Sequence, residues 1–211
     1  MPENSCLAWS MPDIPQPRKT PLQARSRHAV AAILEAAARI LARDGYAAFN
    51  TNRVAEEAGV GIGSLYQYFP NKQALVAALH RRHGEETLAA LDRALADTAG
   101  QPPRERLAAM VVAALDLHRR ELGLHRVLER EWPAFDEPPA SNPLDQALRE
   151  RMEAWLAESG LDPAKAGTLL RMADSLTHGL LLDADPGAAG LEHTITDALA
   201  GFLGLPARPH T

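Results

Sequence analysis

Several features are scarce in this chain, and each absence excludes something. There is one cysteine in 211 residues, so Cys6 cannot close an internal disulfide and is far short of a structural zinc site. The longest stretch free of Asp, Glu, Lys and Arg covers only residues 58–71 and includes Gly59, Gly61, Gly63 and Pro70; a membrane span needs about 20 mostly apolar residues. No basic head followed by an apolar run opens the sequence, so no secretory signal is expected and a cytoplasmic location is. No nucleophile motif and no glycine-rich phosphate loop behind a strand can be found, which argues against an enzyme. Low hydrophobicity, the mark of disorder, is missing too: 46% of residues are hydrophobic, although aromatics supply only 5%.

The charge present is unevenly placed. The formal net charge is −5, yet residues 1–83 hold 10 Lys and Arg against 6 Asp and Glu, and residues 84–211 hold 12 against 21. After Glu57 no acidic residue appears before Glu85, whereas Lys72, Arg81 and Arg82 fall in that gap. A polyanion would be attracted to the first part and repelled by the second.

Residues 1–21 carry five prolines and no apolar periodicity, and read as an arm ending in Arg18 and Lys19. Beyond it the pattern is helical throughout, with no strand signal and no internal repeat, so an all-α fold of about nine helices is expected. A first helix over 25–43 would bury Val30, Ile33, Leu34, Ala37 and Leu41 and end at a left-handed Gly45. Asn50 would cap a helix over 51–58 with Val54, Ala55 and Ala58 inward; a third helix covers 62–69 and stops at Pro70. A fourth begins near Asn71 and runs on through Leu95. Gly100 to Pro103 reads as a linker, followed by helices over 104–120, 122–131, 143–159, 163–183 and 188–203. The domains would be 22–83 and 84–205, with a tail over 206–211.

The second and third helices, joined at Gly59 behind an apolar first helix, are the parts of a helix-turn-helix over about 50–69. Val60 and Leu65 must be buried to fix the angle between them. Gly61, Gly63 and Ser64 keep the start of the third helix small enough to enter a major groove. Tyr66, Gln67 and Tyr68 project groups able to reach phosphates or base edges, and Phe69 is read as core.

The run from Phe49 to Lys72, with its glycines, its Leu65-Tyr66-Gln67-Tyr68-Phe69 string and the following lysine, resembles the DNA-binding signature of the TetR/AcrR family of bacterial transcriptional regulators. Ala36, Ala37, Leu41, Gly45 and Tyr46 match the family's first helix. The resemblance implies a homodimer placing two recognition helices in a palindromic operator of double-stranded DNA, and relief of repression by a small molecule in the C-terminal domain. Carried over by position, Asn50, Thr51 and Arg53 contact phosphates, as do Tyr66, Tyr68 and Lys72, with Arg25 or Arg27 ahead of the first helix. Ile62, Gly63, Ser64 and Gln67 lie at base edges. Gly61 departs from the pattern, because the family often has a serine there and glycine removes a hydroxyl.

In the second domain, flexible methionines and large aromatics suit an adaptable pocket for a small apolar or aromatic effector, and suit core packing as well. Met110, His118, Trp132, Phe135, Met152, Trp155 and Met172 are its candidates, Trp155 being core first. His118, Glu121, His125 and Glu129 recur at helical spacing, as do Asp174 and His178, but no metal or other cofactor is expected; His80 and His83 read as surface residues. The last two helices carry the stripes Leu169, Ala173, Leu176, Leu180 and Leu191, Ile195, Leu199, Phe202. In the resembled family these positions build the dimer interface. An effector-binding or protein-interaction module that has lost operator reading, or an activator of the same fold, are the alternatives.

Overall fold

The computed structural model describes residues 24–120, 143–183 and 190–207. The arm, the expected helix over 122–131 and the end of the tail lie outside the described residues. Every described element is helical: α1 (Ala24–Ala48), α2 (Thr51–Glu57), α3 (Ile62–Tyr68), α4 (Lys72–Asp97), α5 (Pro103–Arg120), α6 (Pro143–Glu158), α7 (Ala166–Asp183) and α8 (Leu191–Leu203), with a 3-10 turn at Pro163–Lys165. None of the described helices is long and apolar enough to cross a membrane. These residues form two compact units, one ending at Leu79 and the other beginning at His80, so the boundary falls within α4.

In the first unit, α1 buries Ile33, Ala36, Ala37, Ile40 and Leu41 completely. The apolar stripe is therefore turned slightly from the expected one, with Val30 and Leu34 half-buried at its flank. Gly45 breaks the helix at φ 71°, ψ 173°, and helical turning resumes only as far as Ala48. Asn50 caps α2 through its side-chain oxygen, which accepts from the Arg53 N–H at 3.0 Å. The end of α2 is a complete Schellman motif: the Gly59 N–H reaches the Glu56 carbonyl at 3.1 Å and the Val60 N–H the Ala55 carbonyl at 3.0 Å. That closure needs φ +66° at Gly59, a conformation costing a side chain about 1–2 kcal/mol. Val60 and Ala58 are half-buried, not fully inward as expected, because the motif turns the chain outward there. Leu65 and Phe69 supply the anchors of α3, and Asn71 caps α4 by accepting from the Ala74 N–H at 2.8 Å.

The second unit packs α4 after His80 with α5 to α8 around Leu107, Leu115, Trp155, Leu156, Leu169, Ile195 and Leu199. Asp162 accepts from the Ala164 N–H at 3.0 Å and Pro163 starts the 3-10 turn, so the expected helix over 163–183 opens tightly before becoming α-helical at Ala166. Gly190 lies in the left-handed region and α8 begins at Leu191, later than the expected 188.

Leu115 has no exposed surface, so Leu115→Ala should lower the unfolding free energy by about 3 kcal/mol through lost transfer energy and a residual cavity. Urea unfolding should show a lower midpoint at unchanged slope; an unchanged midpoint would contradict the packing described.

Candidate nucleic-acid interface and effector cavity

A seven-residue helix cannot bury every side, and α3 divides sharply. Leu65 is 0% exposed, whereas Ile62 and Tyr66 are 38% and 41% exposed and stand out among the large apolar side chains. Gly61, Gly63, Ser64 and Gln67 are exposed beside them, and Tyr68 is half-buried. Gly61 caps α3 with ordinary extended backbone and no side-chain bond. A Cβ at Gly63 would meet nothing within 4 Å, and at Gly61 only the Ser64 hydroxyl at 4.0 Å. The small start of α3 is thus open on its outer side.

The flanking polar groups are held by one another. Thr51 Oγ1 and the Tyr66 hydroxyl are 2.9 Å apart, tying the start of α2 to α3. Arg53 pairs with Asp44 at 2.8 Å, and Asp44 also accepts from Arg43 Nε at 3.0 Å. Glu57 accepts from Arg39 Nε at 3.0 Å and from Arg43 at 3.4 Å. The Arg43 hydrogen bond holds the Asp44 carboxyl below its ordinary range, and the Arg39 bond does the same for Glu57. Lys72 sits 4.1 Å above the Tyr46 ring and donates to the Tyr46 carbonyl at 3.5 Å. Asn50 spends its side-chain oxygen on the α2 cap. Arg27 is exposed on the first turns of α1, while the side chain of Arg25 lies outside the described residues.

The second unit holds a solvent-open cavity of about 460 Å³, within the range of small-molecule sites. Its wall is mostly apolar, with Leu107, Met110, Val111, Met152, Leu169, Ile195 and Leu199, and its polar groups are Thr87, His118, Asp145, Arg149, Arg171, Asp174 and Thr177. Met110, His118 and Met152 of the expected pocket are on this wall. Trp155, 1% exposed, packs in the core instead, and Met172 packs against that core without reaching the cavity. Trp132 and Phe135 lie outside the described residues, as do Glu121, His125 and Glu129. Sequence reading missed Arg149, Arg171, Asp174 and Thr177, though 167, 170, 171, 174 and 177 share one helical face. Gly167 lies on that face beside the Arg149 guanidinium, the flexible end of a long side chain.

The stripes assigned to a partner subunit largely face inward. Leu169, Leu191, Ile195 and Leu199 are buried in their own subunit, with Ala173, Leu176, Leu180 and Phe202 partly buried against the same core. Leu169, Ala173, Ile195 and Leu199 also line the cavity. The strongest apolar stripe of each helix is its core stripe, which leaves Ser175 and Gly179 of α7 and Thr194, Ala198 and Gly201 of α8 exposed.

His80 and His83 are not surface residues: both are half-buried. The His83 ring meets that of His118 edge-on at 5.4 Å, and burial, aided by the charges of His118, His80 and His178, pushes His83 down to about 3. Burial likewise lowers His118, against the pull of its hydrogen bond with the Ala114 carbonyl. Among the described residues, no three His, Cys, Asp or Glu side chains are placed to hold a metal ion.

Residues 33–79 match the family model for bacterial regulatory proteins of the tetR family, and residues 102–203 match the tetracyclin repressor-like C-terminal domain. The chain is 42% identical over 79 residues to the HTH-type transcriptional repressor KstR of Mycolicibacterium smegmatis, a match spanning 37% of this chain and 38% of that repressor. A TetR-family transcriptional regulator from Streptomyces coelicolor shares its fold with a TM-score of 0.67 at 24% identity, over 85% of this chain and 98% of that one. FadR from Bacillus subtilis, solved in complex with stearoyl-CoA, gives 0.64 at 20% identity, over 80% and 96%.

Because His83 is held neutral in the fold but titrates near 6.5 when unfolded, the unfolded chain binds more protons below that value. Its contribution to stability is complete above pH 6.5 and shrinks as pH falls toward 3. Between pH 6.5 and about 5 the carboxylates stay ionised in both states. Thermal unfolding should show the melting temperature falling across that window, and His83→Gln should flatten the fall; parallel curves would refute the assignment.

Proposed function

This chain belongs to the tetR family of bacterial regulatory proteins, and from that premise we propose that it is a DNA-binding transcriptional repressor released from a palindromic operator by a small molecule. The observation that carries the reading is the division of α3, whose Leu65 anchors the helix while Ile62, Gly63, Ser64, Tyr66 and Gln67 stay exposed. On a duplex, Ile62, Gly63, Ser64 and Gln67 would lie at base edges, and the open backbone at Gly61 and Gly63 would permit close approach. Thr51, Arg53, Tyr66, Tyr68 and Lys72 would take phosphates, with Asn50 contributing at the α2 N-terminus and Arg25 or Arg27 from α1. Phosphate contacts set register and base contacts set sequence.

Two such helices must be related by a two-fold axis and spaced by about 34–36 Å, one duplex turn. A homodimer meets that demand, and the inward placement of the large apolar stripes leaves the opposite faces of α7 and α8 for the partner. The cavity of the second unit is the effector site. An effector that favours another spacing of the two recognition helices weakens operator binding by its difference in affinity for the two states, and by no more. No catalytic step enters this mechanism.

Selection of bound sequences from a random DNA pool should enrich one palindrome. A folded, dimeric protein that enriches nothing would be an effector or interaction module instead. With that operator in hand, Ser64→Ala and Gln67→Ala should shift base preference, whereas Lys72→Ala should weaken all sequences alike and flatten the salt slope by about one. Asp44→Asn should release Arg53 and leave Arg43 paired with Glu57 alone, strengthening binding to unrelated duplex at low salt; unchanged non-specific affinity would mean that the ion pair does not compete with phosphate.

A further inference from the structure

One polar chain crosses the wall of the cavity where apolar packing would serve as well. Asp174 and His178 are a turn apart on α7, with His178 Nδ1 3.2 Å from Asp174 Oδ1. His178 Nε2 is 2.9 Å from His118 Nε2 on α5, and His118 Nδ1 is 2.7 Å from the Ala114 carbonyl oxygen. His83 of α4 meets the His118 ring edge-on.

The protons in this chain can be counted. A carbonyl oxygen only accepts, so His118 Nδ1 carries a hydrogen and donates it. Burial disfavours a charge on His118, so its Nε2 carries the lone pair, and His178 must donate to it from its own Nε2. Asp174 as a carboxylate also only accepts, so His178 must donate from Nδ1 as well. A ring that donates from both nitrogens is an imidazolium. The chain therefore holds a cationic His178 between a neutral His118 and an ionised Asp174. Desolvation by the packed wall works to raise the Asp174 carboxyl, but the hydrogen bond and charge of His178 outweigh it and hold the group below its ordinary range.

The far end of this chain is open. Asp174 keeps 69% of its side chain accessible and lines the cavity, one turn from Thr177, which lines it too. The cationic groups of the wall have partners of their own. Arg171 donates to Thr168 at 3.2 Å, and the Arg149 guanidinium lies against Gly167, about 10 Å of helical rise before Asp174.

We propose that the Asp174–His178–His118 chain is the recognition end of the cavity, fixing an ionised Asp174 to receive an effector with an apolar body and a hydroxyl or amino hydrogen-bond donor. The inference rests on the effector-cavity reading above and names the chemistry of that site. His178 and His118 are positioning residues: they hold the carboxylate ionised and aimed, while Asp174 and Thr177 touch the ligand. A ligand ending in a carboxylate would face the Asp174 charge and be disfavoured.

Two measurements on the full-length chain test this. Nitrogen NMR of histidine-labelled protein at neutral pH should show both ring nitrogens of His178 protonated and His118 as the Nδ1–H tautomer. Asp174→Asn should return His178 to a neutral ring, and a neutral His178 in the unaltered chain would overturn the proton count. Calorimetric titration with decanol, decylamine and decanoate then reads the ligand class, the first two separating the hydroxyl from the amine. At least one donor-bearing probe should bind about tenfold tighter than decanoate, the equivalent of one hydrogen bond to a charged group. Asp174→Asn, at an accessible position, should remove that preference, and His178→Gln should weaken it. Preference for decanoate, or a preference untouched by Asp174→Asn, overturns the assignment alone. No binding of any of the three probes instead overturns the effector-cavity reading on which it rests.

Discussion

Burial of Leu65 is the constraint from which the reading surface follows. A helix of seven residues is too short to persist unaided in water, so α3 exists only through what it buries. Leu65 within the helix and Phe69 just past it are almost fully buried in the first unit. With the helix fixed by one face, Ile62, Gly63, Ser64 and Gln67 on its outer side stay exposed. The Schellman closure at Gly59 sets where that face points, and the Thr51–Tyr66 hydroxyl contact locks the two short helices together.

The second unit solves the opposite problem. Its core is continuous and apolar, yet its cavity wall carries charged and polar groups that must each be matched. Placing Asp174 beside His178, and His178 beside His118, satisfies each polar atom in turn and leaves a carboxylate facing the space. The electrostatic character of the cavity thus comes from a few side chains on α5, α6 and α7, within walls that are otherwise interchangeable aliphatics.

Much of this was legible in the sequence. The all-α class, the position of nearly every described helix, the break at Gly59 and the exposed face of α3 follow from periodicity and from glycine, proline and asparagine at helix ends. What was illegible depended on contacts between distant segments. The stripes of Leu169 and Ile195 looked like partner surfaces because a single helix does not say which of its faces meets its own core. Trp155, read as core first, is core; its size and apolarity would have served a pocket equally. His83 seemed a surface residue because its burial is created by α5, far along the chain. Arg53 and Lys72 are read as phosphate contacts, and their partners within the subunit, Asp44 and Tyr46, come near them only through folding.

The open glycines at the start of α3 carry a longer consequence. A Cβ could be added at Gly61 or Gly63 without displacing any of the described residues, since it would meet nothing within 4 Å or a single hydroxyl at 4.0 Å. Changes in what the helix reads are therefore uncoupled from whether the protein folds. A lineage carrying this scaffold can drift from one operator to another through substitutions that cost its stability little, while Leu65 keeps the helix in place throughout.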